Sequence, residues 1–232
     1  ASAQTADGER TVLMARITVL GGSGYAGAAV AAEAARRGHE VTSVSRSTPD
    51  APTEGVDHVA GDVRDAQTLS SVVQGRDAVV VALSPRGDMA GEVEDVLERL
   101  LDEVAGSATR VGYVGGASSL QLEEGGRTLW DASHENLPAE VKPEIETGLR
   151  TLDILKQSPE SVDWFYVSPP SDFGAWFDTP SRGSYVLGGD VLLKDADGAS
   201  TISAADLALA IVDEIERPAH RRARFTAIWG PA

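Results

Sequence analysis

Arg16-Ile-Thr-Val-Leu20 is followed by Gly21-Gly-Ser-Gly-Tyr-Ala-Gly27 and then by an alanine-rich run that ends at Arg37. An apolar strand, a glycine-rich turn and a helix in this order are typical of a dinucleotide-binding βαβ unit. The glycines with the G-x-G-x-x-G spacing are Gly22, Gly24 and Gly27. They permit a sharp turn, close approach of a pyrophosphate, and tight packing of the helix. Because the N–H groups of a helix beginning near Tyr25 would face the phosphates, we expect a bound dinucleotide, with a purely structural turn as the alternative.

The segment after the second predicted strand, Glu40–Ser45, indicates which dinucleotide binds. NAD-specific sheets place Asp or Glu there on the ribose hydroxyls, whereas an arginine accommodates the 2′-phosphate of NADP. This chain has Arg46 between two serines and no carboxylate between Val41 and Pro49. A planar guanidinium can donate two parallel hydrogen bonds to a phosphate. The sequence therefore favours NADP(H) over NAD(H), and the alternative is that Arg46 is an exposed loop residue.

The rest of the chain alternates strand and helix patterns. Further strands are predicted at 56–60, 77–83, 110–114, 163–167 and 224–229, and helices at 66–74, 92–104, 143–157 and 204–216. This alternation predicts an α/β fold, a Rossmann-type doubly wound parallel sheet with helices on both faces. Asp62 and Val63 follow the third strand, so they would lie at the carboxyl edge of the sheet. An adenine ring there needs a polar edge contact and an apolar face.

We expect residues 15–232 to form a single NAD(P)-binding domain, preceded by a poorly ordered leader at 1–14. Two stretches depart from the alternation. Residues 120–142 are mostly polar, and residues 168–200 are interrupted by glycine and proline and include a predicted β-hairpin at 184–194. We assign both stretches to the substrate side, the second as a small C-terminal substrate subregion.

Composition excludes several functions. The formal net charge is −16, and a surface this acidic repels phosphate backbones and anionic membranes, so no nucleic-acid or membrane partner is expected. The chain has no cysteine, which excludes disulfides and thiolate chemistry, and its four histidines lack metal-ligand spacing, so no metal is predicted. No apolar run approaches the ~20 residues of a membrane span. We expect a cytoplasmic protein.

Several of these motifs together resemble those of the atypical short-chain dehydrogenase/reductases. The motifs are the turn at 21–27, Gly61-Asp62-Val63, the apolar strand into Ala82-Leu83-Ser84, and Gly115-Gly116-Ala117-Ser118. Residues 164–170, 185–198 and 202–207 are similar to the NAD(P)H-binding group described as NADH-flavin reductases, which is itself similar to NmrA-like regulators. With the arguments above, the resemblance implies cofactor contacts from Gly21, Gly22, Ser23, Gly24, Tyr25, Ala26, Gly27, Arg46, Asp62, Val63, Ala82, Leu83, Ser84 and Gly115.

The comparison also reveals an absence. Short-chain dehydrogenases that act on alcohols use a Tyr-x-x-x-Lys pair, in which the tyrosine transfers a proton and the lysine lowers its pKa. The residues four positions after the tyrosines of this chain are Ala29, Ala117, Pro170 and Gly189. The pair is therefore missing, which argues against standard alcohol or ketone chemistry and against sugar-nucleotide epimerisation by that route.

Hydride transfer to a flat conjugated acceptor, such as a flavin or a quinone, does not need that tyrosine, because the acceptor delocalises the negative charge. The predicted acceptor platform consists of Trp130, Phe173, Trp176 and Phe177. Family members keep a serine after the fifth strand, which makes Ser118 the first candidate to orient the acceptor. Ser119 and His134 are further candidates for hydrogen bonding or proton supply. The alternatives are core contacts for some aromatic residues, a turn cap for Ser118 and a solvated side chain for His134.

Two other functions fit the same sequence. One is a non-catalytic NmrA-like regulator that binds NADP(H) and reports its redox state to another protein. The other is a reductase or isomerase with a dedicated small-molecule substrate, shaped by residues 120–142. The sequence leaves the acceptor, the source of the proton and the choice between monomer and homodimer open.

Overall fold

The computed structural model describes residues 13–177 and 179–230. The expected leader at 1–14 falls mainly on residues 1–12, which lie outside the described residues. The strands are β1 Arg16–Leu20, β2 Glu40–Ser45, β3 Val56–Ala60, β4 Ala78–Val81, β5 Arg110–Val114, β6 Trp164–Ser168, β7 Tyr185–Gly188 and β8 Ala223–Trp229. The α-helices are α1 Tyr25–Arg36, α2 Ala66–Val73, α3 Val93–Val104, α4 Leu129–Ser133, α5 Lys142–Gln157 and α6 Ala204–Glu216.

The eight strands form one sheet in the order β3-β2-β1-β4-β5-β6-β8-β7. Neighbouring strands are parallel except for β7, which pairs antiparallel with β8. The order 3-2-1-4-5-6 is that of a dinucleotide-binding Rossmann sheet, and the chain reverses its direction of progress between β1 and β4. The predicted fold class is confirmed. Ligands of such sheets bind outside the carboxyl ends of the strands at this reversal.

Helices cover both faces of the sheet. Alternate residues of β4 show this directly: Val79 and Val81 pack in the core under α2, α3 and α5, whereas Ala78 and Val80 pack in the core under α1 and α6. All four are buried, as expected for a parallel strand enclosed on both sides. Capping hydrogen bonds stabilise the helix ends. At the start of α2, the side chain of Asp65 accepts a bond from the Thr68 N–H at 2.7 Å.

The predicted hairpin at 184–194 is wrong. Residue Tyr185 of β7 pairs with Trp229 of β8, and the following segment does not return alongside β7. Instead, the N–H of Leu192 donates to the carbonyl of Gln121 at 2.8 Å, and Val191 forms a bridge with Gln121. Without β7, strand β8 would be the edge of the sheet and its backbone groups on that side would be unpaired. Strand β7 pairs with them and itself becomes the edge strand.

The polar stretch 120–142 contains a short helix that the sequence analysis did not predict. Thr128 and Asp131 form a capping box at the start of α4, each side chain bonding the other's N–H group. A bond from the Trp130 N–H to the Ser118 carbonyl at 2.8 Å connects the stretch to the segment that follows β5. This region therefore lies beside the edge of the sheet where ligands of such folds bind.

Candidate cofactor and acceptor site

The glycine-rich turn between β1 and α1 packs so closely that three positions exclude a side chain. Gly21 has φ +85°, and a Cβ on it would overlap the carbonyl oxygen of Ala82. A Cβ on Gly22 would overlap Oγ of Ser43 on β2. A Cβ on Gly27 would overlap the carbonyl oxygen of Gly21. Packing alone therefore requires glycine at these positions, as in the predicted roles of turn and tight helix contact.

Gly24 differs from the other three glycines. A Cβ there would lie 3.3 Å from the carbonyl oxygen of Gly21 and 3.9 Å from that of Ala82, with open space beyond them. Gly24 is also the N-cap of α1, whose first internal bond runs from the Ala28 N–H to the Gly24 carbonyl at 2.9 Å. The preceding N–H groups of the first turn are the anion-binding end of a helix. A side chain at Gly24 would project into this concavity, where the helix end favours an anion such as a pyrophosphate.

A cleft of about 410 Å³ extends from this turn along the carboxyl ends of β2, β3 and β4. The predicted cofactor residues that line it are Gly21, Ser23, Gly24, Arg46, Asp62, Val63, Ala82, Leu83 and Ser84. Four residues after β4, which the sequence analysis did not single out as cofactor contacts, form one wall: Arg86, Gly87, Asp88 and Met89. The predicted cofactor residues that do not line it are Gly22, Tyr25, Ala26, Gly27 and Gly115.

Local packing explains most of these exceptions. Gly22 and Gly27 lie buried beneath the turn. The ring of Tyr25 packs against Phe173 with centroids 5.1 Å apart, and its hydroxyl lies 3.2 Å from Oγ1 of Thr179. Gly115 lies under the ring of a tyrosine on β6, which occupies the space a Cβ would need. These residues pack around the glycine turn and the strand ends without lining the cleft.

Two ion pairs surround the outer end of the cleft. Arg46 Nη1 lies 2.8 Å from Asp88 Oδ2, so the two walls of the cleft are joined there. Asp62 accepts two bonds from Arg64 Nε, at 2.9 and 3.1 Å, and one from Arg64 Nη2 at 2.7 Å. The hydrogen bonds from Arg64 lower the pKa of Asp62 to about 2. Asp62 therefore lines the cleft as a fixed carboxylate whose two oxygens already hold a guanidinium.

A second polar cluster follows β5. Arg224 Nη1 donates to Oγ of Ser119 at 2.6 Å, and Nε and Nη2 donate to Asp190 at 2.9 and 2.7 Å. The side chain of Arg224 is only 7% exposed, although Asp190 is largely open to solvent. Because Ser119 Oγ accepts from Arg224, its hydroxyl proton is available for donation to another group. The structure thus singles out Ser119, more than Ser118, as the hydroxyl with a charged partner.

The other residues predicted around Ser118 are brought close to it by α4. The N–H of Trp130 donates to the Ser118 carbonyl at 2.8 Å. The ring of His134 stacks on that of Trp130 with centroids 5.2 Å apart, and its Nδ1 lies 2.9 Å from the Trp130 carbonyl oxygen. His134 is therefore bonded back to the backbone of α4, whereas Trp130 is half-buried and connected to Ser118 through its backbone N–H.

The predicted aromatic residues of the loop after β6 have two different environments. Phe173 packs against Tyr25 and the core, which is a structural role. Trp176 is 68% exposed and lies beneath the guanidinium of Arg86, 5.6 Å from its Cζ, with Phe177 beside it. Arg86 in turn bonds Glu144 on α5 at 2.5 Å. Arg86 therefore connects the cleft wall to an exposed indole ring.

Arg224 is a further site residue that the sequence analysis missed, besides the four cleft residues after β4. The sequence places Arg224 in a short basic patch from Arg217, and a solvated surface is the simplest interpretation of such a patch. In the structure, Arg222 donates to the carbonyls of Ser158 and Val162 between α5 and β6, and Arg224 is buried. The sequence did contain one signal: Arg224 lies within a predicted strand of aromatic and β-branched residues. An arginine buried in such a strand is almost always paired, so its position indicates a charged or polar partner.

Within the described residues, 13–177 and 179–230, no three His, Asp or Glu side chains have an arrangement that could hold a metal ion. The helices in the same part of the chain are too short or too polar to span a bilayer.

Comparisons with known proteins agree with this geometry. A family model described as NAD(P)H-binding matches residues 21–218. The uncharacterised protein YwnB of Bacillus subtilis is 34% identical over 219 residues, which is 92% of this chain and 98% of YwnB. A crystal structure from Streptococcus pneumoniae, of a protein provisionally named an NADH-flavin reductase, is 31% identical with a TM-score of 0.82 and covers 93% of this chain and 100% of that one.

A second crystal structure, from Bacteroides thetaiotaomicron, is of a protein provisionally named an epimerase. It is 32% identical, has a TM-score of 0.79 and covers 94% of this chain and 99% of that one. The family model alone spans most of the chain, and the resemblance inferred from the motifs is confirmed. This protein belongs to the NAD(P)H-binding family of proteins similar to the atypical short-chain dehydrogenase/reductases.

Proposed function

We propose that the protein is an NADPH-dependent reductase of a flat conjugated acceptor, of the flavin or quinone type. One observation carries the proposal. The open concavity at Gly24 continues into a cleft with Arg46 at its outer end, and the neighbouring strand end carries Ser119, backed by the buried Arg224. Such a site combines groups for phosphates with a hydroxyl that can orient an acceptor.

The residues that would hold the cofactor are the N–H groups at the start of α1 for the pyrophosphate and Arg46 for a 2′-phosphate. Val63 and Leu83 offer apolar cleft surface on which an adenine ring can pack. When bound, the reduced nicotinamide supplies the hydride, and the protein contributes binding, orientation and electrostatics.

Ser119 is the candidate for contact with the acceptor. Its Oγ accepts from Arg224 Nη1, so its proton is available to a carbonyl oxygen or ring nitrogen of the acceptor. The negative charge that develops on the reduced acceptor is stabilised by a donor of this kind. Arg224 acts through Ser119 as a positioning residue, and its low exposure strengthens the effect because screening by water is small. The final proton can come from solvent.

The exposed indole of Trp176 and the half-buried indole of Trp130 are the candidate stacking surfaces for a planar acceptor.

The experiment that tests the proposal is oxidation of NADPH and NADH by the purified protein, with FMN or a small quinone supplied. Saturable turnover that favours NADPH supports the proposal. Tight NADP(H) binding without turnover on any acceptor of this class contradicts it and favours the sensor function. Failure to bind either cofactor contradicts both functions.

A further inference from the structure

The ion pair between Arg46 and Asp88 has no part in hydride transfer, yet it occupies the outer end of the cofactor cleft. The two side chains come from opposite walls, Arg46 after β2 and Asp88 after β4, with Nη1 and Oδ2 2.8 Å apart. Both are more than half exposed, at 62% and 59%. A solvent-exposed pair of this kind is weak and can exchange partners.

The two arginines at this end of the cleft differ in how firmly they are bound. Arg64 forms a close fork with Asp62 and also donates to the backbone carbonyl of Asp88 at 3.0 Å. Its Nη2 lies 3.9 Å from the Asp88 carboxylate. Arg46, in contrast, makes a single contact with the Asp88 carboxylate. Of the two guanidiniums, Arg46 is the one that an incoming anion can capture.

Asp88 is held in a segment that can adjust. It lies in a 3₁₀ turn, Gly87–Met89, whose first residue is a glycine with φ +59°, and Gly91 beyond it has φ +79°. The bond from Arg64 keeps the Asp88 backbone in place while leaving its carboxylate free to rotate away. After displacement, the carboxylate remains near any phosphate that binds Arg46, and like charges at such distances repel.

We propose that Asp88 determines cofactor specificity: it neutralises Arg46 in the absence of a 2′-phosphate and opposes nucleotides that carry one. The proposal rests on the assignment of Arg46 to the 2′-phosphate in the proposed function. Binding of NADP(H) then requires exchange of the carboxylate for the phosphate, whereas NAD(H) leaves the Arg46–Asp88 pair intact. The pair lowers the preference for NADP(H) below the level that Arg46 alone would give.

The test uses adenosine 2′,5′-bisphosphate and ADP as probes, which carry no nicotinamide and so make the result independent of turnover. Calorimetry compares the two dissociation constants in the wild-type protein, Asp88→Asn, Arg46→Ala and the double variant. We expect Asp88→Asn to lower the dissociation constant of the 2′-phosphate probe about three- to tenfold and to change that of ADP less than twofold. Arg46→Ala should weaken the 2′-phosphate probe selectively, and Asp88→Asn should have no further effect in that background.

Glu92→Gln is the matched control, because it removes one exposed negative charge from the same surface without touching Arg46. An equal gain in that control would show a general effect of net charge and overturn the proposal. The proposal is also overturned if Asp88→Asn leaves the ratio of the two dissociation constants unchanged, or if it weakens the binding of both probes. A wild-type protein that binds the 2′-phosphate probe but reduces no acceptor would leave this inference standing while contradicting the reductase function.

Discussion

Arg224 Nη1 lies 2.6 Å from Oγ of Ser119 and donates a hydrogen bond to it. Strand β8 contributes the arginine, and the serine follows β5, so β6 separates the two strands. Asp190 holds the other side of the guanidinium. The geometry gives the hydroxyl a defined orientation and a nearby positive charge. A short-chain dehydrogenase obtains these two properties from its tyrosine and lysine, which this chain lacks as a spaced pair.

Replacement of Ser119 tests its contact with the acceptor. We expect Ser119→Ala to lower kcat about 100-fold, the loss typical of removing one donor from a developing anion, with little change in NADPH affinity. Ser118→Ala is the matched control and should change kcat less than threefold. Steady-state kinetics with FMN or a quinone, and cofactor titration in parallel, measure both values. Equal losses in the two variants would contradict the assignment.

Replacement of Arg224 separates positioning from folding. Arg224→Gln should lower kcat about tenfold or more, because Ser119 loses its cationic partner, whereas Arg224→Lys should recover part of that loss by restoring the charge. The readout is the division of the effect between kcat and KM, together with thermal unfolding of each variant. If the Arg224→Lys and Arg224→Gln variants have the same kcat and unfold at the same temperature, the charge of Arg224 plays no part in turnover.

Two glycines of the turn should respond differently to the same substitution. Gly24→Val places a side chain in the open concavity, so we expect loss of measurable NADP(H) binding with the fold retained. Gly27→Val places it against the carbonyl of Gly21, so we expect loss of stability instead. Thermal unfolding and cofactor titration of both variants check this contrast. Intact cofactor affinity in Gly24→Val would contradict the location of the phosphate site.

The sequence predicted the element order well because each strand and helix of the alternating part is encoded locally. The turn at 21–27 and the apolar residues of β4 carry their own pattern. The pairing of strand β7 is not encoded locally in this way, because its partner β8 lies far along the chain and the local turn suggested a hairpin. Pairing at a sheet edge depends on which backbone groups remain free, and the sequence pattern does not contain that information.

The candidate site could be predicted only in part. Gly24 follows from the glycine motif and Arg46 from its place after β2, and both line the cleft. Asp88 and Arg224 could not be identified, because each matters through a partner distant in the sequence. A single arginine on a strand or a single aspartate after a glycine has many surface roles, and only the fold shows that these two face Ser119 and Arg46.

The exposed indole of Trp176 gives a prediction about the acceptor. Trp176→Ala should raise KM for FMN or the quinone about two- to tenfold, the range expected for loss of an aromatic stack, and leave the NADPH dissociation constant unchanged. Because the ring is 68% exposed, the variant should unfold at nearly the wild-type temperature. Leu122→Ala removes another exposed apolar side chain and is the control. An unchanged KM would show that the acceptor binds elsewhere.

The buried ion cluster at the opposite end of β5 predicts a pH-dependent stability. Glu214 accepts from Arg110 Nη2 at 2.8 Å and lies 2.7 Å from His220 Nδ1, and its side chain is 4% exposed. Burial alone would raise the pKa of Glu214, but the hydrogen bonds from His220 and Arg110 outweigh burial and lower it below 4.5. The folded form therefore gains stability above pH ~4.5 and loses that gain as the pH falls through the lowered value.

Glu214→Gln removes the more buried of two carboxylates that pair with the guanidinium of Arg110, which is 7% exposed; Asp163 Oδ2 remains 3.2 Å from Arg110 Nε. We expect a loss of about 3 kcal/mol in the free energy of unfolding at pH 7, typical of breaking one partner of a buried pair. Urea unfolding should show this difference shrinking as the pH is lowered below ~4.5, because the wild-type carboxylate is then protonated too. The exposed Glu160→Gln is the control, and a difference that stays constant with pH would contradict the role assigned to the Glu214 charge.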